Sequence, residues 1–206
     1  MFARSTTILG NPQNLDAWRA YVHDTVMPAV LQMDGCVGLS MLCDRDSGLA
    51  ITTTAWADAK ARRTSADKVL ALRAREAEIL GGAPEINEWE IAVLHRLHAT
   101  TEEACACVVW GRGDTAAMDR LVHAFPMAVL RQVDELPGFC SMSVLVNRED
   151  GRTAISMTYA NCTEMERASD QALVMRERFT EQTGIEVTET ATFDVALVQM
   201  RVPEMV

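Results

Sequence analysis

The feature that most restricts this chain is that it is written twice. Sliding the 206-residue sequence by 103 positions lays residues 33–81 on 136–184 without a gap. Gly35 meets Gly138, Ser40 meets Ser143, Leu42 meets Leu145, Arg45 meets Arg148 and Gly48 meets Gly151. Further on, Asp67 meets Asp170, Leu70 meets Leu173, Arg73 meets Arg176, Arg75 meets Arg178 and Gly81 meets Gly184. Trp56 faces Tyr159, and a one-residue shift brings WEIAVLH (89–95) onto FDVALVQ (193–199). Chance rarely holds register through so many unlike side chains, so the chain reads as an internal duplication. The copies occupy residues 1–98 and 105–206. The polar joint between them, 99–104, is too short to tether independent domains.

Periodicity gives the order within one copy. Residues 2–9 are short and β-branched and predict a strand. Asn11-Pro12 starts a helix, and Leu15, Trp18, Val22 and Val26 recur at helical spacing. Pro28 should kink or end that helix. CVGLSMLC (36–43) predicts a strand, DRDSG (44–48) a hairpin loop with Gly48 at positive φ, and 50–56 the returning strand. A second helix over 57–80 ends at Gly81-Gly82, and 89–94 is the last strand. The copy is therefore βαββαβ, a ferredoxin-like plan in the α+β class. LSML and VLV are apolar at successive positions, so both faces of each sheet need burial. Two tandem repeats packed sheet to sheet, an intrachain dimeric α/β barrel, would meet that need.

Composition narrows the partners. A net charge of −10 repels phosphate backbones, and no basic stripe offsets it, so nucleic acid is not expected. No apolar run approaches the roughly 18 residues of a membrane span, and MFARSTTILG lacks the pattern of a secretory leader. The expectation is a cytoplasmic chain, either a monomer with an internal pseudo-dimer or a homodimer. Its six cysteines are then expected to be reduced and structural. No spacing completes a metal site. Ser-His-Asp spacing, a Gly-rich phosphate loop and an HExxH-like cluster are all missing from the sequence.

MDGCVGLSML (33–42) and ELPGFCSMSVL (135–145) resemble the Pro-Gly-aromatic lead-in to the second strand of the antibiotic-biosynthesis-monooxygenase-like branch of the dimeric α/β-barrel superfamily. The turn glycine, the aromatic closing the third strand (Trp56, Tyr159) and EWEIAVLH in the last strand extend the likeness over nearly the whole chain, twice. The arrangement is similar to tandem-domain actinobacterial proteins of this group. The resemblance implies a fold shared by cofactor-free monooxygenases of aromatic polyketides and by haem-degrading enzymes. Those activities lean on an Asn in the first strand, a Trp after the third, and for haem a His on the second helix. Of these only Trp56 has a match, and 57–80 and 160–182 contain no His, which argues against haem.

The residues offer a ligand pocket of Trp18, Met27, Trp56, Arg73, Tyr159 and Arg176 on this fold. Aromatics could stack on a planar molecule, and Arg73 or Arg176 could clamp a carboxylate or an enolate. His23 is a candidate general base, with Arg73 the other catalytic candidate. Simple packing explains the tryptophans equally well, as surface pairing explains the arginines and His23. His95 and His98, at the exit of the last strand, are expected to be exposed. Two functions follow: a cofactor-independent monooxygenase-like enzyme acting on a small aromatic or polyketide-like molecule, or a non-catalytic small-molecule-binding protein. No cofactor is expected.

Overall fold

A computed structural model describes residues 1–124 and 129–200. The first copy runs β1 (Phe2–Leu9), α1 (Leu15–Tyr21), a π-helical turn (Val22–Val26), α2 (Met27–Leu31), β2 (Cys36–Cys43), β3 (Leu49–Trp56), α3 (Ala59–Thr64), α4 (Ala66–Leu80) and β4 (Pro84–Arg96). The second runs β5 (Cys105–Arg112), α5 (Thr115–Ala124), α6 (Leu130–Asp134), β6 (Phe139–Asn147), β7 (Arg152–Tyr159), α7 (Cys162–Thr183) and β8 (Glu186–Met200). Hydrogen bonding links the strands in the closed order β1-β3-β2-β8-β5-β7-β6-β4, an α+β barrel fold built from two βαββαβ repeats.

The local signals act as their chemistry requires. Asp58 and Asn161, at matching repeat positions, cap α3 and α7 by accepting from the backbone of Ala61 and Glu164. Gly81 and Gly184 close α4 and α7 in the left-handed conformation. The hairpin glycines Gly48 and Gly151 have φ of +78° and +61°, where a side chain would be strained.

Three elements depart from expectation. The first helix does not end at Pro28, since helical backbone continues to Leu31. A π turn over Val22–Val26 directly precedes α2, with the Met27 N–H reaching back to the Val22 carbonyl, and this local change of helix type accompanies the donor that Pro28 lacks. The helix expected over 57–80 is two helices joined at Ser65, whose hydroxyl donates to the carbonyl of Arg62. The cysteines are not all reduced: Cys105 and Cys162 form a disulfide. Cys105 opens β5 opposite Tyr159, the last residue of β7, and Cys162 begins α7 three residues later. The β5–β7 register thus brings two cysteines 57 positions apart in sequence to a Cα separation of 5.1 Å. The second copy's Pro126 lies outside the described residues.

The chain divides into two compact units that differ from the sequence repeat. One holds Met1–Trp89 with the end of β8 from Asp194; the other holds Glu90–Phe193. In the first, residues 194–200 of β8 pair antiparallel with β2. In the second, residues 90–96 of β4 pair antiparallel with β6. The first core centres on Ile8, Leu15, Trp18, Val22, Leu39 and Leu80, and the second on Met118, Leu121, Phe139, Val144, Tyr159 and Phe179. No described helix is long and apolar enough to cross a membrane.

Candidate functional site

The site is assembled within the first unit by strand register and one helical turn. β1 pairs with β3 so that Arg4 lies opposite Thr54 and Thr6 opposite Thr52. Strand alternation sends all four side chains to one face. Arg73 and Glu76, three residues apart on α4, project toward that face, and Val69, Leu72, Val26 and Val30 complete the wall. The cavity between them is partly open and about 20 Å³, room for one water-sized molecule.

Glu76 is 3% exposed. Its Oε2 accepts from the indole Nε1 of Trp18 at 3.0 Å and from the Thr52 hydroxyl at 2.7 Å. Burial raises its pKa above the ordinary carboxylate range, and those two donors and then Arg73 pull it partly back. Arg73 is 8% exposed, and its Nε donates to the Thr6 hydroxyl at 3.2 Å. Desolvation, followed by the nearby charge of Arg4, lowers its pKa.

Arg4 is held differently. It donates from Nε and Nη2 to Glu88 Oε1 at 3.2 and 2.8 Å, from Nη1 to Ser65 at 3.2 Å, and from Nη2 to the Arg62 carbonyl at 3.0 Å. Arg62 takes the other oxygen of Glu88 at 2.9 Å. Two guanidiniums thus share one carboxylate at the rim, each fixing the other's geometry.

The sequence candidates fall in several places. Arg73 lines the cavity. Trp18 is fully buried behind it, holding Glu76, and Met27 packs against the same core. Trp56 is fully buried and donates to Thr54 at 3.1 Å without reaching the cavity wall. His23 is exposed, with Nδ1 2.7 Å from Asp24. In the second unit Tyr159 is buried, edge-on to Phe139, and burial raises its phenol pKa. Arg176 is half-buried and donates to the Thr190 hydroxyl at 3.3 Å.

Sequence reasoning missed Glu76 and misplaced His95. Against expectation His95 is buried, with Nε2 2.6 Å from Asp134 and its ring stacked on Phe139, because β4 continues through Arg96 and keeps residue 95 inside the ladder with β6. A signal for Glu76 was present. The repeat sets it against Phe179, so an acid stands on α4 where the partner copy buries an aromatic ring.

A buried carboxyl of raised pKa, a buried guanidinium and three threonine hydroxyls around a small cavity can accept a proton and stabilise an anion. The donor set does not suit a haem iron ligated from the second helix of a repeat, since α4 and α7 carry no His.

The fold is that of antibiotic-biosynthesis-monooxygenase-type α/β barrels, in single-chain form. A candidate monooxygenase from Lactobacillus acidophilus matches with a TM-score of 0.69 and 10% identity, over 97% of this chain and 96% of that one. An anthrone oxidase-like protein matches with a TM-score of 0.63 and 11% identity, over 99% and 94%. LmHde, a heme-degrading enzyme from Listeria monocytogenes, matches with a TM-score of 0.51 and 8% identity, over 94% and 99%. At such identities the likeness is one of fold alone. No protein-family model matches the chain. In sequence, the uncharacterized protein Rv2557 of Mycobacterium tuberculosis is 41% identical over 206 residues, all of this chain and 92% of that protein. Rv2558 of the same organism is 39% identical over 207 residues, 100% of this chain and 88% of that protein. The chain belongs to the family of these mycobacterial proteins.

Proposed function

We propose that the first half of the chain is a cofactor-independent, monooxygenase-like site for a small aromatic or polyketide-like molecule, with Glu76 as the general base. The observation that supports this is the Glu76 carboxyl, buried, raised in pKa and facing a cavity beside Arg73. In this reading Glu76 removes a proton from an activated CH₂ group, and Arg73 and the threonines stabilise the carbanion as its enolate. Dioxygen then takes the electrons. One oxygen atom becomes the new carbonyl and the other leaves as water, so CH₂ and O₂ give C=O and H₂O. The scaffold's occurrence in an anthrone oxidase-like protein supports the substrate class by analogy.

Oxygen uptake with an anthrone as substrate tests the proposal. The wild-type chain should consume oxygen, and Glu76→Gln should lose about 10²-fold or more of the rate, as removal of a positioned base does. At about 20 Å³ the cavity takes one group of such a molecule rather than the whole of it, and in a second reading the half holds that group without turning the molecule over. Binding of the anthrone without oxygen uptake selects that reading.

A further inference from the structure

Arg73 stands in the first unit without an ion pair of its own. Arg4 and Arg62 share Glu88. Arg73, more than nine-tenths buried, has one hydrogen bond, to the neutral hydroxyl of Thr6. Among the described residues no carboxylate lies within ion-pairing distance of it, and its two terminal nitrogens have no hydrogen-bond acceptor. Glu76, its neighbour one turn along, spends Oε2 on Trp18 and Thr52.

The unpartnered terminal nitrogens of Arg73 are open to a water-sized space, and an ion pair made there, away from bulk solvent, is stronger than one on the surface. A guanidinium also holds its remaining N–H groups in a planar fork that matches the two oxygens of a carboxylate. The fork of Arg73 borders the cavity, and the hydroxyls of Thr6, Thr52 and Thr54 surround it. We propose that Arg73 is the anchor for a carboxylate-bearing small molecule, whose acid group reaches this cavity and forms the ion pair that Arg73 lacks. The proposal rests on the first half being the ligand site, and names its ligand class. It does not depend on Glu76 performing chemistry.

The second unit shows what the site looks like without that task. At the repeat offset of 103, Arg176 stands for Arg73, but it is half-buried and close enough to solvent to share its charge with water. Cys107, Val109, Ile155 and Met157 replace Arg4, Thr6, Thr52 and Thr54, so those four strand positions offer an acid group neither a hydroxyl nor a guanidinium.

The test uses the full chain and sodium benzoate as probe. Benzamide serves as the neutral probe of the same shape, and sodium chloride at equal ionic strength controls for any anion. Benzoate should raise the melting temperature in a saturable way, while benzamide and chloride should not. Arg73→Gln should abolish the shift, and Arg176→Gln should leave it intact. Arg73→Lys keeps the charge but loses the fork, so it should weaken binding about tenfold, and it serves if the Gln variant fails to fold. Equal shifts from benzamide or chloride, no shift from benzoate, or a full shift in the lysine variant would each overturn the proposal. Oxygen uptake by a chain that ignores benzoate would overturn this inference and leave the proposed chemistry standing. Benzoate binding by a chain without oxygen uptake would do the reverse.

Discussion

Where Arg4, Thr6, Thr52, Thr54, Arg62, Ser65 and Glu76 stand in the first half, the same repeat positions of the second carry Cys107, Val109, Ile155, Met157, Met165, Ala168 and Phe179. The aromatic residues follow the same division. In the first half each indole donates to an oxygen: Trp18 to Glu76, Trp56 to Thr54 and Trp89 to Ser5. In the second, Leu121, Tyr159 and Phe193 hold those places, and the only polar group among them, the Tyr159 hydroxyl, points at the sulfur of Met157 at 3.9 Å. The backbone plan is common to both. The first interior adds to its apolar core a layer of hydrogen bonds and ions, which fix orientation but add little net stability. The other is built of apolar contacts, which stabilise at roughly 25 cal/mol per Å² buried and recognise nothing in particular. A duplicated chain can divide these tasks, because a half freed from recognition can give more of its interior to packing.

That division can be broken by exchanging single residues. Phe179→Glu should have the largest effect. It places a carboxyl in a pocket of Met and Leu with no donor equivalent to Trp18 or Thr52, and should cost about 4 kcal/mol or more, enough to unfold a marginal protein. Urea unfolding would show it, and a cost under about 1 kcal/mol would mean that the second interior is wetter than described. Glu76→Ala comes next. It strands the Trp18 indole and the Thr52 hydroxyl, for an expected loss of about 2–3 kcal/mol. A loss confined to the fluorescence of Trp18, with an unchanged melting temperature, would show that water replaces the carboxylate.

The smallest effect is one of pH. Glu76 binds its proton more tightly in the folded chain than in the unfolded one, because burial raises its pKa. Its contribution is therefore fully present below the unfolded glutamate value of about 4.3 and is lost as pH rises through the raised folded value. Glu76→Gln cannot titrate and should remove that part of the slope. Stability curves for wild type and variant measured from pH 4 to 8 should converge toward the acid end when scaled to their maxima. Parallel curves would place the Glu76 proton in solvent.

The fold was legible because it rests on signals that repeat. Gly48 with Gly151, Gly81 with Gly184 and Asp58 with Asn161 each mark a turn or a helix end twice at one spacing. The site was only partly legible, because it lies in what does not repeat. Arg73 was visible through its match with Arg176, yet that match hides that one is buried and the other is not. Glu76 and Glu88 were passed over because a charge within a helix or strand pattern ordinarily marks a solvated face. The missed disulfide has a different cause. Cys105 and Cys162 are brought together by the β5–β7 register, a long-range fact that spacing of 57 residues does not disclose.

The crossing of β4 and β8 between compact units has a consequence for how the chain can be made. A fragment ending after β4 would carry β2 with an open edge where 194–200 belong, and would carry 90–96 without the β6 edge they pair with. Open edges of that kind recruit other strands, in this case from a second copy of the fragment or from its missing complement. Gene duplication made two repeats, but the ribosome has to finish both before either one is closed.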